Sequence, residues 1–125
     1  MNPDEIRILM VDDDSMIRDL IGVILESNDY VVETAKDGLE ALEKYKARSP
    51  HVIITDMNMP EMDGLALIKE IRRTDSEVAI ILLTGDDDAQ TLGVDADECI
   101  AKDENISDTI VASVDAVTRK KGLKG

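Results

Sequence analysis

Residues Val52 to Gly64 read VIITDMNMPEMDG, and this stretch decides the fold of the chain. Its first part is an apolar run of the kind that forms a strand buried on both faces of a sheet. The run ends at Asp56, and Pro60 and Gly64 follow as turn residues. In open parallel sheets, ligands bind beyond the carboxyl ends of the strands. The stretch therefore predicts a buried strand that delivers Asp56 to a functional edge.

Four further apolar runs resemble this one in length and spacing. They are Ile6–Val11, Tyr30–Ala35, Val78–Leu83 and Glu98–Ala101. The intervening segments place apolar residues three or four positions apart, as amphipathic helices do. Strand–helix alternation predicts an α/β fold, a doubly wound parallel sheet with helices on both faces. The connection from Gly85 to Asp97 has the weakest helical pattern, and we expect one short fourth helix there.

Length and composition favour one domain over residues 1–125, with residues 119–125 as a frayed tail. The net charge of −14 repels nucleic acid and anionic membranes, which argues against direct binding to either. Cys99 is the single cysteine, so an intrachain disulfide is excluded. The apolar runs are too short to span a membrane. We expect a cytoplasmic location.

Polar side chains follow the predicted strands at their carboxyl ends. They are Asp12, Asp13, Asp56, Asn58, Thr84 and Lys102. Taken singly, an aspartate there is commonly a helix cap, a threonine a strand terminus and a lysine a solvated cation. Taken together, clustered carboxylates need a hard cation such as Mg²⁺, and a carboxylate can act as a nucleophile toward phosphorus. The hydroxyl and the ammonium would hold phosphoryl oxygens.

These residues resemble those of a known family, the receiver domains of two-component response regulators. The matching stretches are Ile8–Asp14, Val52–Gly64, Ile80–Gly85 and Lys102. The resemblance covers nearly the whole chain. It implies the flavodoxin-like (βα)5 fold with strand order 2-1-3-4-5.

The resemblance also implies a role for each matching residue. Asp56 would be the phosphoacceptor, assisted by Thr84 and Lys102. Asp12, Asp13, Asp56 and the backbone carbonyl of Asn58 would bind Mg²⁺, for which Mn²⁺ is an expected substitute. Asn58 and Asp86 occupy the positions that tune hydrolysis of the phosphorylated form. Cys99 stands at the switch position, where the family usually has an aromatic residue.

The function implied is a phosphorylation-controlled signalling switch. A sensor histidine kinase or a phosphotransfer protein would donate the phosphoryl group, and the product would bind an unidentified downstream protein. The domain would not be an enzyme in the ordinary sense, because it would catalyse only its own phosphorylation and dephosphorylation.

Three features depart from the family pattern, all in the last third of the chain. Asp103 follows Lys102 where proline is usual, and we predict a trans peptide there because a cis bond to a non-proline residue costs about 2.5–4 kcal/mol. Cys99 occupies the switch position, so the aromatic side chain that the family usually has there is missing. The segment from Thr84 to Lys102 is short by about one helical turn, or ~4 residues.

Three other functions match parts of this pattern. A degenerate receiver that binds partners without phosphorylation would account for the altered last third. A haloacid-dehalogenase-like phosphatase needs a second aspartate where Asn58 stands, and a calcium loop starting at Asp56 needs glycine where Glu61 stands.

Overall fold

The computed structural model describes residues 5–59, 61–85 and 96–123. Strands and helices alternate along the described residues up to the fourth strand, and residues 86–95, between the fourth and fifth strands, lie outside the described residues. The strands are β1 (Arg7–Val11), β2 (Val31–Ala35), β3 (Val52–Asp56), β4 (Ala79–Thr84) and β5 (Glu98–Ala101). The helices of the described residues are α1 (Ser15–Glu26), α2 (Gly38–Arg48), α3 (Gly64–Arg72) and α4 (Ile106–Lys120).

The five strands form one parallel sheet in the order β2-β1-β3-β4-β5, which confirms the predicted topology. The register pairs Val11 with Thr55, and Asp56 with Leu83. The three central strands therefore end at nearly the same level. Residues that follow β1, β3 and β4 meet at one edge of the sheet, although they are far apart in sequence.

The sheet is buried on both faces. One core cluster packs Met10, Ile54 and Ile81 against apolar residues of α1 and α4. The other packs Ile53 and Ile80 against α2 and α3. All residues of β3 and β4 are buried. This is the pattern expected of continuous apolar strands in a doubly wound sheet, and it holds the ends of the central strands rigidly.

Aspartate side chains start three of the helices. Asp14 accepts a hydrogen bond from the Met16 amide at 2.9 Å, so it is a cap and not a member of the acidic cluster. Asp37 and Asp63 cap α2 and α3 in the same way. These caps fix where each helix leaves the functional edge of the sheet.

Two predictions concern the last third of the chain, namely the short fourth helix and the frayed tail. The short helix expected between Gly85 and Asp97 falls on residues 86–95, which lie outside the described residues. Helix α4 runs through Lys120, so the expected frayed tail of residues 119–125 begins inside a helix. Nζ of Lys121 then lies 3.3 Å from Oδ1 of Asp97. No helix among the described residues is long and apolar enough to cross a membrane.

Candidate functional site

Three aspartates converge at the carboxyl edge of the sheet. Carboxylate oxygens of Asp12, Asp13 and Asp56 lie within 4.8 Å of one another. Asp12 is fully buried, Asp56 is 6% exposed and Asp13 faces solvent. Since β1 and β3 are neighbours and end together, the topology brings the acidic pair to Asp56. The sequence prediction that these residues share one site agrees with this geometry.

Asp56 is held in an electrostatically costly position. Burial raises the pKa of its carboxyl, and the negative charge of Asp12 raises the pKa further. The Lys102 ammonium and the backbone N–H of Asn58 act in the opposite direction without cancelling the effect. A carboxylate that is poorly solvated and crowded by another is a site for a cation, because a cation removes the penalty.

Lys102, the residue directly after β5, supplies one positively charged group to the site. Its Nζ lies 2.8 Å from Asp12 Oδ2 and 3.2 Å from Asp56 Oδ2. Burial alone would lower the pKa of the Lys102 ammonium, but the two carboxylates outweigh burial and raise it. The Lys102 amide donates to the Thr84 carbonyl at 2.8 Å, which fixes the backbone of this lysine at the end of β4.

The peptide bond between Lys102 and Asp103 is trans, since no cis bond occurs in the described residues. The prediction made from the missing proline is confirmed. The trans bond does not take the ammonium away from the cluster, because Nζ reaches both Asp12 and Asp56.

Asp12 retains acceptor capacity. Its Oδ1 accepts from the Asp14 amide at 2.9 Å. Its Oδ2 is buried and makes an ion pair with Lys102 by distance, yet it has no hydrogen bond of ordinary geometry in the described residues. A buried carboxylate oxygen is costly unless a charge compensates it. The donor set is therefore oxygen-rich and short of positive charge, and it fits a hard divalent ion.

Thr84 ends β4 one residue beyond the partner of Asp56 and is 3% exposed. Its hydroxyl lies 3.7 Å from the sulfur of Met57, a weak contact. Beside it, a Cβ built on Gly85 would meet no described atom within 4 Å. No atom of the described residues would therefore obstruct a small side chain at position 85, beside the threonine.

Gly64 lets the start of α3 pack against the backbone of Asp56. A Cβ at this position would lie 2.2 Å from the Asp56 carbonyl oxygen. The Gly64 amide donates to the Met57 carbonyl at 2.9 Å. The sequence marked Gly64 as a turn residue, and the structure shows that its backbone also approaches the acidic strand end closely.

Arg18 is a site neighbour that sequence reasoning missed. Its guanidinium donates to the Asp12 backbone carbonyl at 2.7 Å from the second turn of α1. The contact holds the β1–α1 loop from outside the acidic cluster. No local pattern marks Arg18, because the contact depends on how α1 leaves the sheet.

The remaining predicted site residues are less constrained. Asn58 is exposed, and the structure gives no contact of its carbonyl. Asp86 lies outside the described residues. Cys99 is half-buried in β5 and packs beside the α2–α3 core cluster. Burial and the charge of Glu98 raise the pKa of its thiol, which favours the protonated form.

Comparison with known proteins gives one consistent answer. A model of the response regulator receiver domain matches residues 8–114. The chain is 42% identical to the chemotaxis protein CheY of Bacillus subtilis over 98 residues, covering 78% of this chain and 81% of that protein. It is 36% identical to the transcriptional regulatory protein CpxR homolog of Haemophilus influenzae, covering 91% of this chain and 51% of that protein. The chain thus spans about half the length of the latter relative.

Solved structures agree. The response regulator TrrA of Thermotoga maritima, in complex with Mg²⁺-BeF, has a TM-score of 0.83 and 34% identity, covering 89% of this chain and 97% of that one. The chemotaxis response regulator CheY4 of Vibrio cholerae has a TM-score of 0.84 and 32% identity, covering 90% and 98%. The residues matched by the family model include every charged side chain of the acidic cluster.

Proposed function

The chain belongs to the response-regulator receiver family, and from that premise we propose that Asp56 accepts a phosphoryl group from a phosphohistidine donor. The observation that carries the proposal is the placement of Asp56 between two other carboxylates and the Lys102 ammonium at the end of β3. Response regulators act in two-component signalling with histidine kinases or phosphotransfer proteins. The product of the reaction here would be an aspartyl phosphate.

Mg²⁺ is the cofactor that this donor set fits. Asp12, Asp13 and Asp56 would hold it, with the Asn58 carbonyl as a further oxygen ligand. When bound, the ion would neutralise carboxylate charge and the charge that develops on the transferring phosphoryl group. Mn²⁺ would substitute, since it also accepts oxygen ligands.

The chemistry assigned to the protein's own groups is simple. An oxygen of the Asp56 carboxylate bonds to phosphorus while the phosphorus–nitrogen bond of the donor breaks, and the leaving imidazole takes a proton from solvent. Lys102 Nζ, already 3.2 Å from Asp56 Oδ2, would move onto a phosphoryl oxygen. Thr84 would supply a hydroxyl to a second oxygen from the adjacent strand end. Positioning and charge compensation provide the catalysis.

Hydrolysis returns the domain to its starting state. Water attacks the phosphorus and restores the Asp56 carboxylate with release of inorganic phosphate. Asn58 and Asp86 would set the rate from the rim of the site. We propose no turnover of a separate substrate, so the domain catalyses only its own modification.

A protein donor must cover the surface around Asp56. Helix α1 begins there and exposes an apolar stripe three and four residues apart, with Met16 80%, Leu20 46% and Val23 61% exposed. Contiguous exposed apolar residues mark interaction surfaces. We assign this α1 stripe to the donor protein, in a cytoplasmic setting.

Signal output would proceed without a rotating aromatic side chain. Cys99 occupies that position, so coupling from Asp56 would pass through Thr84 and the backbone of β4 and β5. The Thr84 carbonyl accepts the Lys102 amide, which links the two strand ends directly. The downstream partner would bind a surface altered by that shift.

Acetyl phosphate with Mg²⁺ tests the proposal without a kinase. We expect an acid-stable, hydroxylamine-labile adduct that EDTA prevents and that Asp56→Asn abolishes. Absence of the adduct on wild-type protein would favour a receiver that works without phosphorylation. No feature of the described residues favours that alternative, because the Asp12, Asp13, Asp56 and Lys102 cluster is assembled.

A further inference from the structure

A second concave site lies on the amino half of the sheet. It is a cavity of about 260 Å³ where β1 and β2 begin, bounded above by the C-terminal half of α2. Arg7, Lys44 and Arg48 line it. The chain carries a net charge of −14, so three cationic side chains around one small cavity form a positively charged patch on a negatively charged protein. We call this site the basic groove.

The floor of the basic groove is apolar. The strand register pairs Arg7 with Val31, so alternate residues of the two strands, including Leu9, face the same side. Val31 is 43% exposed although it lies in a parallel sheet. Among the described residues, Val31 thus contributes exposed apolar surface beside the cations.

The three cations are unequally engaged. Arg7 donates to the Ser49 carbonyl at 3.1 Å. Lys44 donates to the Thr34 carbonyl and lies 3.7 Å from Glu40. The Arg48 side chain makes no hydrogen bond or ion pair within the described part of the chain. A guanidinium without a partner beside an apolar floor is suited to a planar anionic group.

Among the described residues that line the basic groove, Glu33 is the only acidic one. It offsets one of the three positive charges of the lining side chains, and Glu40 partly offsets that of Lys44 from outside the lining, so the groove keeps a positive excess centred on Arg48. The groove lies at the beginning of β1, whereas Asp12 follows its end. A ligand there would not occupy the acidic cluster.

We propose that the basic groove binds a small organic anion that carries a carboxylate or phosphate on an apolar body. The charged group would contact Arg48 and Lys44, and the apolar body would cover Val31. The volume is below the roughly 300–1,000 Å³ of clefts that hold drug-sized ligands, so the occupant is smaller than those. Nucleic acid and anionic membranes are disfavoured by the overall charge.

Phenyl phosphate in Mg²⁺-free buffer is a suitable probe. Amide NMR titration should give saturable shifts at Arg7, Leu9 and Glu33, with little change at Asp12 or Asp56. Arg48→Gln should weaken binding by roughly threefold to tenfold, because a charge-assisted contact is lost. Glu33→Gln should tighten it by roughly threefold, because the opposing charge is removed.

The matched control is Lys46→Gln, which removes one charge from an exposed position of α2 outside the groove. Binding should be unchanged in this variant. Equal weakening in Lys46→Gln and Arg48→Gln would overturn the proposal in favour of a diffuse ionic effect. Inorganic phosphate and benzyl alcohol should each bind much more weakly, and equal binding by either one would contradict the need for charge and apolar surface together.

Discussion

Nζ of Lys102 lies 2.8 Å from Oδ2 of Asp12, a carboxylate in a residue with no exposed surface. The two residues are brought together by the ends of β5 and β1, which are not adjacent in the sheet. Lys102 also reaches Asp56, so a single ammonium compensates two carboxylates. The carboxylates of the cluster carry more negative charge than the one ammonium compensates. This excess is the condition for recruiting a metal ion and a phosphoryl group together.

Lys102→Gln should destabilise the metal-free protein. Removing one partner of a buried ion pair leaves an uncompensated charge, and the partial exposure of Lys102 reduces the cost to about 1–3 kcal/mol. Urea unfolding in EDTA measures this, with Lys46→Gln as the surface control. Equal unfolding free energies for the two variants would mean that Lys102 does not compensate the cluster.

Gly64→Ala should be destabilising by about 1–3 kcal/mol, because its Cβ would overlap the Asp56 carbonyl. The variant should also slow phosphorylation by acetyl phosphate, since Asp56 must shift. Gly85→Ala is the matched control for stability, because its Cβ meets no described atom and should cost no more than ~0.5 kcal/mol. A Gly64→Ala protein as stable as wild type would refute the close-approach argument.

His51 should make stability depend on pH. Its Nδ1 accepts from the Arg7 amide at 2.9 Å, which requires the unprotonated nitrogen. Burial and the charge of Arg7 lower the pKa of His51, with Glu5 opposing them. As the pH falls below about 6.5, His51 therefore becomes protonated in the unfolded chain before it does so in the folded chain. The stability that neutral His51 contributes to the fold is fully present above that pH, and it is lost as the pH falls toward the pKa of His51 in the folded protein.

His51→Asn keeps an acceptor but removes this titration. Unfolding free energy measured between about pH 5 and 7 should fall with decreasing pH less steeply in the variant than in wild type, where one proton contributes at most ~1.4 kcal/mol per pH unit. Identical slopes would show that His51 does not titrate differently in the folded and unfolded states.

The α1 stripe should matter to a protein donor and not to a small one. Leu20→Ser should lower the rate of transfer from a phosphorylated histidine kinase by roughly tenfold, as the loss of an interface anchor does. The rate with acetyl phosphate should be unchanged. Leu39→Ser, at an equally exposed position on α2, is the control. Equal effects with both donors would place the defect in the acidic cluster instead.

The fold and most of the site could be predicted from the sequence because they depend on the spacing of apolar residues and on which residues follow each strand. Continuous apolar strands fixed a sheet covered on both faces, and residues after those strands had to meet at one edge. The contact from Arg18 to Asp12, the approach of Gly64 to Asp56 and the basic groove all depend on how helices sit on the sheet. The ion pair of Lys121 and Asp97 joins residues far apart in sequence, so no local pattern encodes it.

Borohydride trapping tests the central claim most directly. The protein is treated with acetyl phosphate and Mg²⁺, reduced with borohydride, digested and mapped by mass spectrometry. Reduction converts an aspartyl phosphate to homoserine, so the peptide containing Val52–Met59 should carry the modification at Asp56. The peptides containing Asp12 and Asp13 should remain unmodified. A trapped modification at another aspartate, or none on protein that is folded and binds Mg²⁺, would contradict the account.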